Sequence, residues 1–272
     1  VLRILLTAFL TVFCVSVSAQ TVYPPEIDEI KKRGKLIVAL TAFDTPPFYG
    51  GSIDNMSGLD VEIAKKVAKI LSVPVVFNRD ATSFAGVIDQ VVGGKADMAI
   101  SKLSITGPRM NVVKFSTPYV KLHQAMIVNR LWLSQNTKNG DQESAIKNFN
   151  GSISFIANSS YDTFARTLFP RALYKPETSW DNIVNGVISG RYSSGFRDEF
   201  EIKRLIIEKP TASIHTKTVV FADSVDNIAA AVPPGSTHLL MIIDHVIKNE
   251  YNNIDVKMLI SMLKKYYENN KE

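Results

Sequence analysis

The sequence predicts an α/β fold in two lobes, each a mainly parallel sheet flanked by helices, joined by a two-strand hinge. Three observations predict it. Apolar strand-like runs alternate with amphipathic helical ones through residues 35–100, and such a series implies parallel strands with right-handed crossovers. The same alternation restarts at residue 153 and runs to 196. Strand-like runs at 119–131 and 225–232 bracket the second series, which makes them the crossings between lobes.

At 272 residues, 46% hydrophobic and 21% charged, the chain has ordinary globular composition for one large or two modest domains. One Cys excludes an internal disulfide and any paired-cysteine zinc site. The formal charge of +5 comes from 31 basic and 26 acidic residues interleaved along the chain. A nucleic-acid partner would need a basic stripe or a recognition motif, and neither is present.

Residues 1–19 read as a signal peptide. Arg3 precedes an uncharged apolar run, and Val17 and Ala19 give a small-x-small ending. Cys14 follows the bulky Phe13, which argues against lipid attachment. Cleavage would remove the only thiol and leave about +4 from 30 basic and 26 acidic residues. The expectation is a soluble, extracytoplasmic protein.

After Pro24 and Pro25, a short helix is predicted over 26–33. KLIVAL at 35–40 is an apolar run bounded by Gly34 and turn residues, hence a buried strand. Residues 50–55 form a loop or hairpin tip. In 59–71, Leu59, Ile63, Val67, Ile70 and Leu71 share one face, which predicts an amphipathic helix. A strand at 73–78, a helix at 84–92 ended by Gly93 and Gly94, and a strand at 96–100 complete the first series. In the second, strands at 153–157, 173–175 and 192–196 alternate with helices at 161–169 and 179–189. The polar stretch 134–151 precedes them. Two helices, near 237–250 and 254–268, have no sheet of their own and are expected to pack back on the first lobe. The lobes are thus 20–122 plus 229–272, and 126–226.

GKLIVAL at 34–40, PPF at 46–48, SGLDVEIAKKVA at 57–68, SFAGVIDQVVGGKADMAI at 83–100, SKLSITGPRMNVVKFSTPYV at 101–120 and SSYDTFAR at 159–166 together resemble the extracellular solute-binding proteins of family 3. These are periplasmic amino-acid receptors of ABC importers. The resemblance spans essentially all of the chain after the leader and is strongest over 57–119. It implies a periplasmic-binding-protein (Venus-flytrap) clamp that closes on an amino acid and hands it to an ABC-type permease, with no cofactor and no metal.

Several residues can be weighed physically beside it. Ser101, Ser104 and Thr106 lie where a strand gives way to a turn, at the carboxyl edge of a parallel sheet, where ligands bind in open α/β folds. Arg109 offers a rigid fork of donors matched to a carboxylate; the resemblance gives it the ligand's carboxyl group, with Ser104 as its hydroxyl partner. Ser159 and Ser160 precede a helix whose exposed N–H groups favour an anion, although N-capping is the usual task of a serine there. The resemblance aims Asp198 at an α-ammonium and makes Phe84 an aromatic wall; a solvated helix start and a core position are the ordinary uses of those two. Asp44 and Phe48 lie on the first strand-to-helix connection.

Lys102 departs from the family pattern, which has a small residue there. Its ammonium could recognise an acidic or polar side chain, and the reading favours a polar amino acid as the solute. Two other functions compete. Asp198 and Glu201 match the Asp-x-x-Glu spacing of cyclohexadienyl (prephenate/arogenate) dehydratases of the same fold, in which Glu201 would be the general acid. A ligand-sensing module for a membrane receptor would have the same clamp.

Overall fold

In the computed structural model, residues 22–252 and 254–269 are described; the predicted signal segment lies outside them. The first lobe opens with α1 (Pro25–Arg33), β1 (Leu36–Thr41), α2 (Leu59–Ile70), β2 (Val75–Ala81), α3 (Phe84–Val92), β3 (Met98–Ala99), α4 (Gly107–Met110) and β4 (Lys114–Phe115). Then β5 (Val120–Asn129) crosses into the second lobe. There α5 (Arg130–Asn136), α6 (Gln142–Lys147), β6 (Ser152–Ile156), α7 (Ser160–Leu168), β7 (Leu173–Glu177), α8 (Trp180–Ile188), β8 (Ser194–Asp198), α9 (Glu199–Glu208) and α10 (Ala212–His215) follow. The chain returns through β9 (Thr216–Ile228) and β10 (Ala231–Val232), and ends with α11 (Thr237–Glu250) and α12 (Val256–Asn269).

Both sheets share one plan. Their strand orders are β2-β1-β3-β10-β4 and β7-β6-β8-β5-β9. In the first, β10 is antiparallel to both its neighbours; in the second, β5 is. The reversed strand in each sheet is the one that arrives from the other lobe. The sheets are therefore mixed, a refinement of the mainly parallel expectation.

Local chemistry sets the helix ends. Gly34, at φ 73°, closes α1 in the left-handed conformation that glycine adopts without strain. Ser83, Ser179 and Asp198 cap α3, α8 and α9 by accepting from Gly86, Asn182 and Glu201 N–H groups. Gly58 is required for a different reason. At φ 123° a β-carbon would lie 2.4 Å from the Phe48 carbonyl oxygen. Glycine there lets Asp60 N–H donate to Phe48 O at 2.8 Å, docking the 46–58 loop on the start of α2.

Each sheet is covered on both faces. In the first lobe, Ile63, Val67, Leu239, Ile243 and Leu259 pack on one side; Val87, Ile88 and Val91 of α3 cover the other. In the second, Leu133, Tyr161 and Ala165 face Ile153, Phe155 and Phe196, while Ile183, Val187, Ile202 and Leu205 cover Ala125 and Ile127. Burying each large aliphatic side chain contributes about 1.5–3 kcal/mol. Phe200 is the exception to this division. It belongs to α9 yet lies in the first lobe's core, edge-on to Phe48 at 5.9 Å between centroids.

Three elements differ from the sequence reading. β9 begins at Thr216, well before 225; it is the edge strand of the second sheet, and exposure rather than residue type alternates along it. The run read as one strand at 225–232 is two, since Ile228 pairs with Val120 in the second sheet and Ala231 with Ala99 and Phe115 in the first. The polar stretch 134–151 contains the end of α5 and all of α6.

Candidate functional site

The turn after β3 carries Ser101, Lys102 and Ser104 to the edge of the first lobe. Ser101 is fully buried; its hydroxyl donates to Tyr49 Oη at 2.7 Å and accepts from Thr41 N–H at 3.2 Å. Lys102 has φ 48°, an uncommon conformation for a residue with a side chain. Asp60 holds it there by accepting from Lys102 N–H at 2.8 Å, while its other oxygen accepts from Tyr119 Oη at 2.8 Å. Burial pushes the Asp60 carboxyl up to about 7, against those two hydrogen bonds and the Lys102 charge.

The Lys102 side chain crosses into the second lobe. Its Nζ lies 2.8 Å from Asp198 Oδ2 and 2.8 Å from Glu201 Oε1. The rings of Phe48 and Phe200 stand 5.2 and 5.3 Å from the same nitrogen, within the range of a cation–π contact. Asp198 is fully occupied. Besides Lys102, Oδ2 accepts from Tyr161 Oη, and Oδ1 accepts from Glu201 N–H at 3.1 Å. Glu201 also faces Arg197 at 3.3 Å and Arg204 at 3.8 Å. Burial alone would raise its carboxyl; Arg197, Lys102 and Arg204 outweigh burial and bring it down to about 2.

A second set of contacts lies nearer the hinge. Ser104 Oγ is 2.8 Å from Ser160 Oγ on α7 and donates to Asp226 Oδ2 on β9 at 2.9 Å. Arg109 donates from Nη1 to Ser104 O at 2.9 Å; burial lowers its pKa, an effect partly opposed by Asp226. Asp226 is fully buried and Oδ1 has no partner among the described residues. Burial and the nearby Asp198 raise its carboxyl to about 7, in spite of Ser104, Lys102 and Arg109.

Two cavities open along the line between the lobes. A narrow inner one is walled by Phe84, Lys102, Ser104 and Arg109 from one side and by Ser160, Tyr161 and Arg197 from the other. An outer one of about 520 Å³ shares Phe84 and Arg197 and extends past Trp180, Glu201 and Arg204 to Asp44.

Of the residues singled out in the sequence, Arg109, Ser104, Lys102, Phe84 and Ser160 reach the inner cavity, and Asp198 lies directly behind it. Ser159 does not; it caps α7, accepting from Tyr161 N–H at 3.3 Å and donating to Ile156 O. Ser101 is absorbed in the Tyr49 network. Phe48 is a core residue against Phe200. Asp44 sits on the outer rim, paired with Arg79 at 2.8 Å. Glu199 and Glu201 are buried, so the acidic start of α9 is not a solvated one.

Sequence reasoning missed Tyr161, Arg197, Asp226 and Asp60. A charged residue inside the strand-like run VDNIAAAV was a visible signal for Asp226. Among the described residues, no group of three or more His, Cys, Asp or Glu could hold a metal ion, and no helix is long and apolar enough to cross a membrane.

Comparison with known proteins adds the family. The chain is 31% identical over 107 residues to the probable ABC transporter extracellular-binding protein YckB of Bacillus subtilis, covering 38% of this chain and 36% of that one. It is 29% identical over 93 residues to the L-cystine-binding protein TcyJ of Escherichia coli K12, covering 34% of each. The matched segments thus span about a third of either curated relative. Among solved structures, the ancestral amino acid-binding protein AncCDT-1, a precursor of cyclohexadienyl dehydratase, superposes with a TM-score of 0.66 at 23% identity, over 89% of this chain and 99% of that one. The arginine-bound substrate-binding protein AbpA of Streptococcus pneumoniae gives 0.66 at 24%, over 89% and 98%. The fold is therefore the two-lobe periplasmic-binding-protein fold. The sequence profile of the bacterial extracellular solute-binding proteins, family 3, matches residues 36–260, and the chain belongs to that family.

Proposed function

We propose that this protein captures a small carboxylate-bearing solute between its lobes and delivers it to an ABC-type permease, acting as a monomer outside the cytoplasmic membrane. The lobes are 20–122 plus 229–272 and 126–226, and closure turns about β5 and β9. One observation carries the reading: Ser104 and Arg109 from one lobe and Ser160 and Arg197 from the other wall the inner end of the cleft, a space of about 10 Å³ whose Phe84 and Arg197 also wall the outer cavity of about 520 Å³. The serine hydroxyl protons are engaged, Ser104 with Asp226 and Ser160 with Ser104, so the free donors are those of the two guanidinium groups, and a guanidinium fork suits a carboxylate. A solute that touches both lobes binds the closed form better than the open one, which is what drives closure. Amino acids are the first class to screen, since relatives include a cystine-binding protein and an arginine-bound one.

The dehydratase reading needs Glu201 to hold a proton and release it to a leaving group. With three cations around it and a pKa near 2, Glu201 holds no proton at neutral pH, which favours the receptor.

Thermal-shift screening against the twenty amino acids and common carboxylates, then calorimetry, tests the reading. Arg109→Ala is expected to weaken any hit at least a hundredfold with the fold intact by circular dichroism. Unchanged affinity would remove Arg109 from the clamp.

A further inference from the structure

The inner cavity is short of anionic acceptors. Asp198 spends both oxygens on Lys102, Tyr161 and the Glu201 N–H group. Glu201 is enclosed by Lys102, Arg197 and Arg204. Asp226 keeps a spare oxygen, but it is fully buried and does not line the cavity. Donors are in surplus: Arg197 Nε is buried without a partner among the described residues, and the Arg109 fork has only one bond, to a backbone carbonyl. Lys102 meanwhile is a complete ammonium site, with two carboxylates at 2.8 Å and two aromatic rings beside it. Its φ of 48° would suit glycine better, so the lysine stands there at some conformational cost.

We propose that Lys102 is a built-in ammonium: it occupies the anionic box of Asp198 and Glu201, so the cleft selects small organic carboxylates that lack an α-ammonium. A zwitterionic amino acid would bring a cation to a cavity edged by Lys102, Arg109 and Arg197, with both neighbouring carboxylates already paired. A 2-oxo acid brings only acceptors, and the surplus donors receive them. This rests on the carboxylate clamp proposed above, and it changes the expected solute from a polar amino acid to its deaminated counterpart.

Calorimetric titration with matched pairs tests it: L-alanine and pyruvate, L-glutamate and 2-oxoglutarate, L-phenylalanine and phenylpyruvate. The wild type is expected to bind at least one oxo acid at least tenfold more tightly than its amino acid. Lys102→Gly, which suits the backbone and frees the box, is expected to reverse that preference by a gain of tenfold or more for the amino acid. If Lys102→Gly does not fold, Lys102→Gly with Glu201→Gln removes one anion along with the cation, and the wild-type preference decides independently. A wild type that prefers the amino acid in the pairs it binds, or a preference that Lys102→Gly leaves unchanged, overturns the inference while the clamp stands. Binding of none of the six by either protein counts against the clamp itself.

Discussion

Glu201 and Asp226 are both carboxylates with almost no exposure, in the same cleft, yet one is held near 2 and the other near 7. Burial raises both. The difference lies in what stands within contact: three cations at 2.8–3.8 Å surround Glu201, whereas Asp226 has one serine hydroxyl, more distant cations and the repelling charge of Asp198. Exposure alone therefore says nothing about the charge of a buried acid. Neighbours decide it, and they divide the cleft into a paired ionic box at the start of α9 and a loosely satisfied hinge carboxyl on β9.

The largest expected effect breaks the box. Glu201→Gln leaves Lys102, Arg197 and Arg204 facing one carboxylate fewer, and unfolding in urea at pH 7 is expected to show a loss of about 3 kcal/mol. Because folding depresses this carboxyl from 4.5 to about 2, its contribution is complete above about pH 4.5 and disappears as pH falls toward 2. Variant and wild type should therefore converge in acid. A gap that persists there would assign the loss to packing instead of charge.

Asp226→Asn should act in the opposite sense. The folded carboxyl keeps its proton up to about pH 7 and the unfolded one only to about 3.8. Wild-type stability therefore falls as pH rises through that window. The variant is expected to match the wild type near pH 4 and exceed it by on the order of 2 kcal/mol at pH 8. A variant less stable at pH 8 would show that Asp226 is ionised and well satisfied in the fold.

Much of this arrangement was legible in the sequence because it depends on periodicity and on motif order. The runs at 35–40 and 84–92 announce β1 and α3, and the Ser-x-x-Ser-Ile-Thr turn at 101–106 places Ser104 and Arg109 at a strand end. What escaped depends on distances between residues far apart in the chain. Nothing local indicates that Lys102 reaches Asp198, or that Asp226 lies under Ser104. Periodicity also fails for β9, where the apolar run 219–222 puts residues of one type on both the packed and the exposed face, and it cannot say that Phe200 leaves its own lobe to pack on Phe48.

The smallest effect supplies the control for the comparison. Glu199, two residues from Glu201 on the same helix turn, is also paired, with Lys203 at 3.0 Å and His123 at 2.7 Å. Burial would raise its carboxyl, but those partners bring it below the usual value. Its lysine partner is half exposed, so solvent screens the attraction and the side chain loses rotamer freedom in making it. Lys203→Ala is therefore expected to cost no more than about 0.5 kcal/mol. In 1 M salt, where charges are screened over about 3 Å, even that should vanish. The Glu201→Gln loss should largely survive the same salt, because Lys102 and Arg197 touch it directly and are themselves buried. If both losses fell together with salt, solvent would have to enter the Lys102 box, and the ionic core of the cleft would be a surface network.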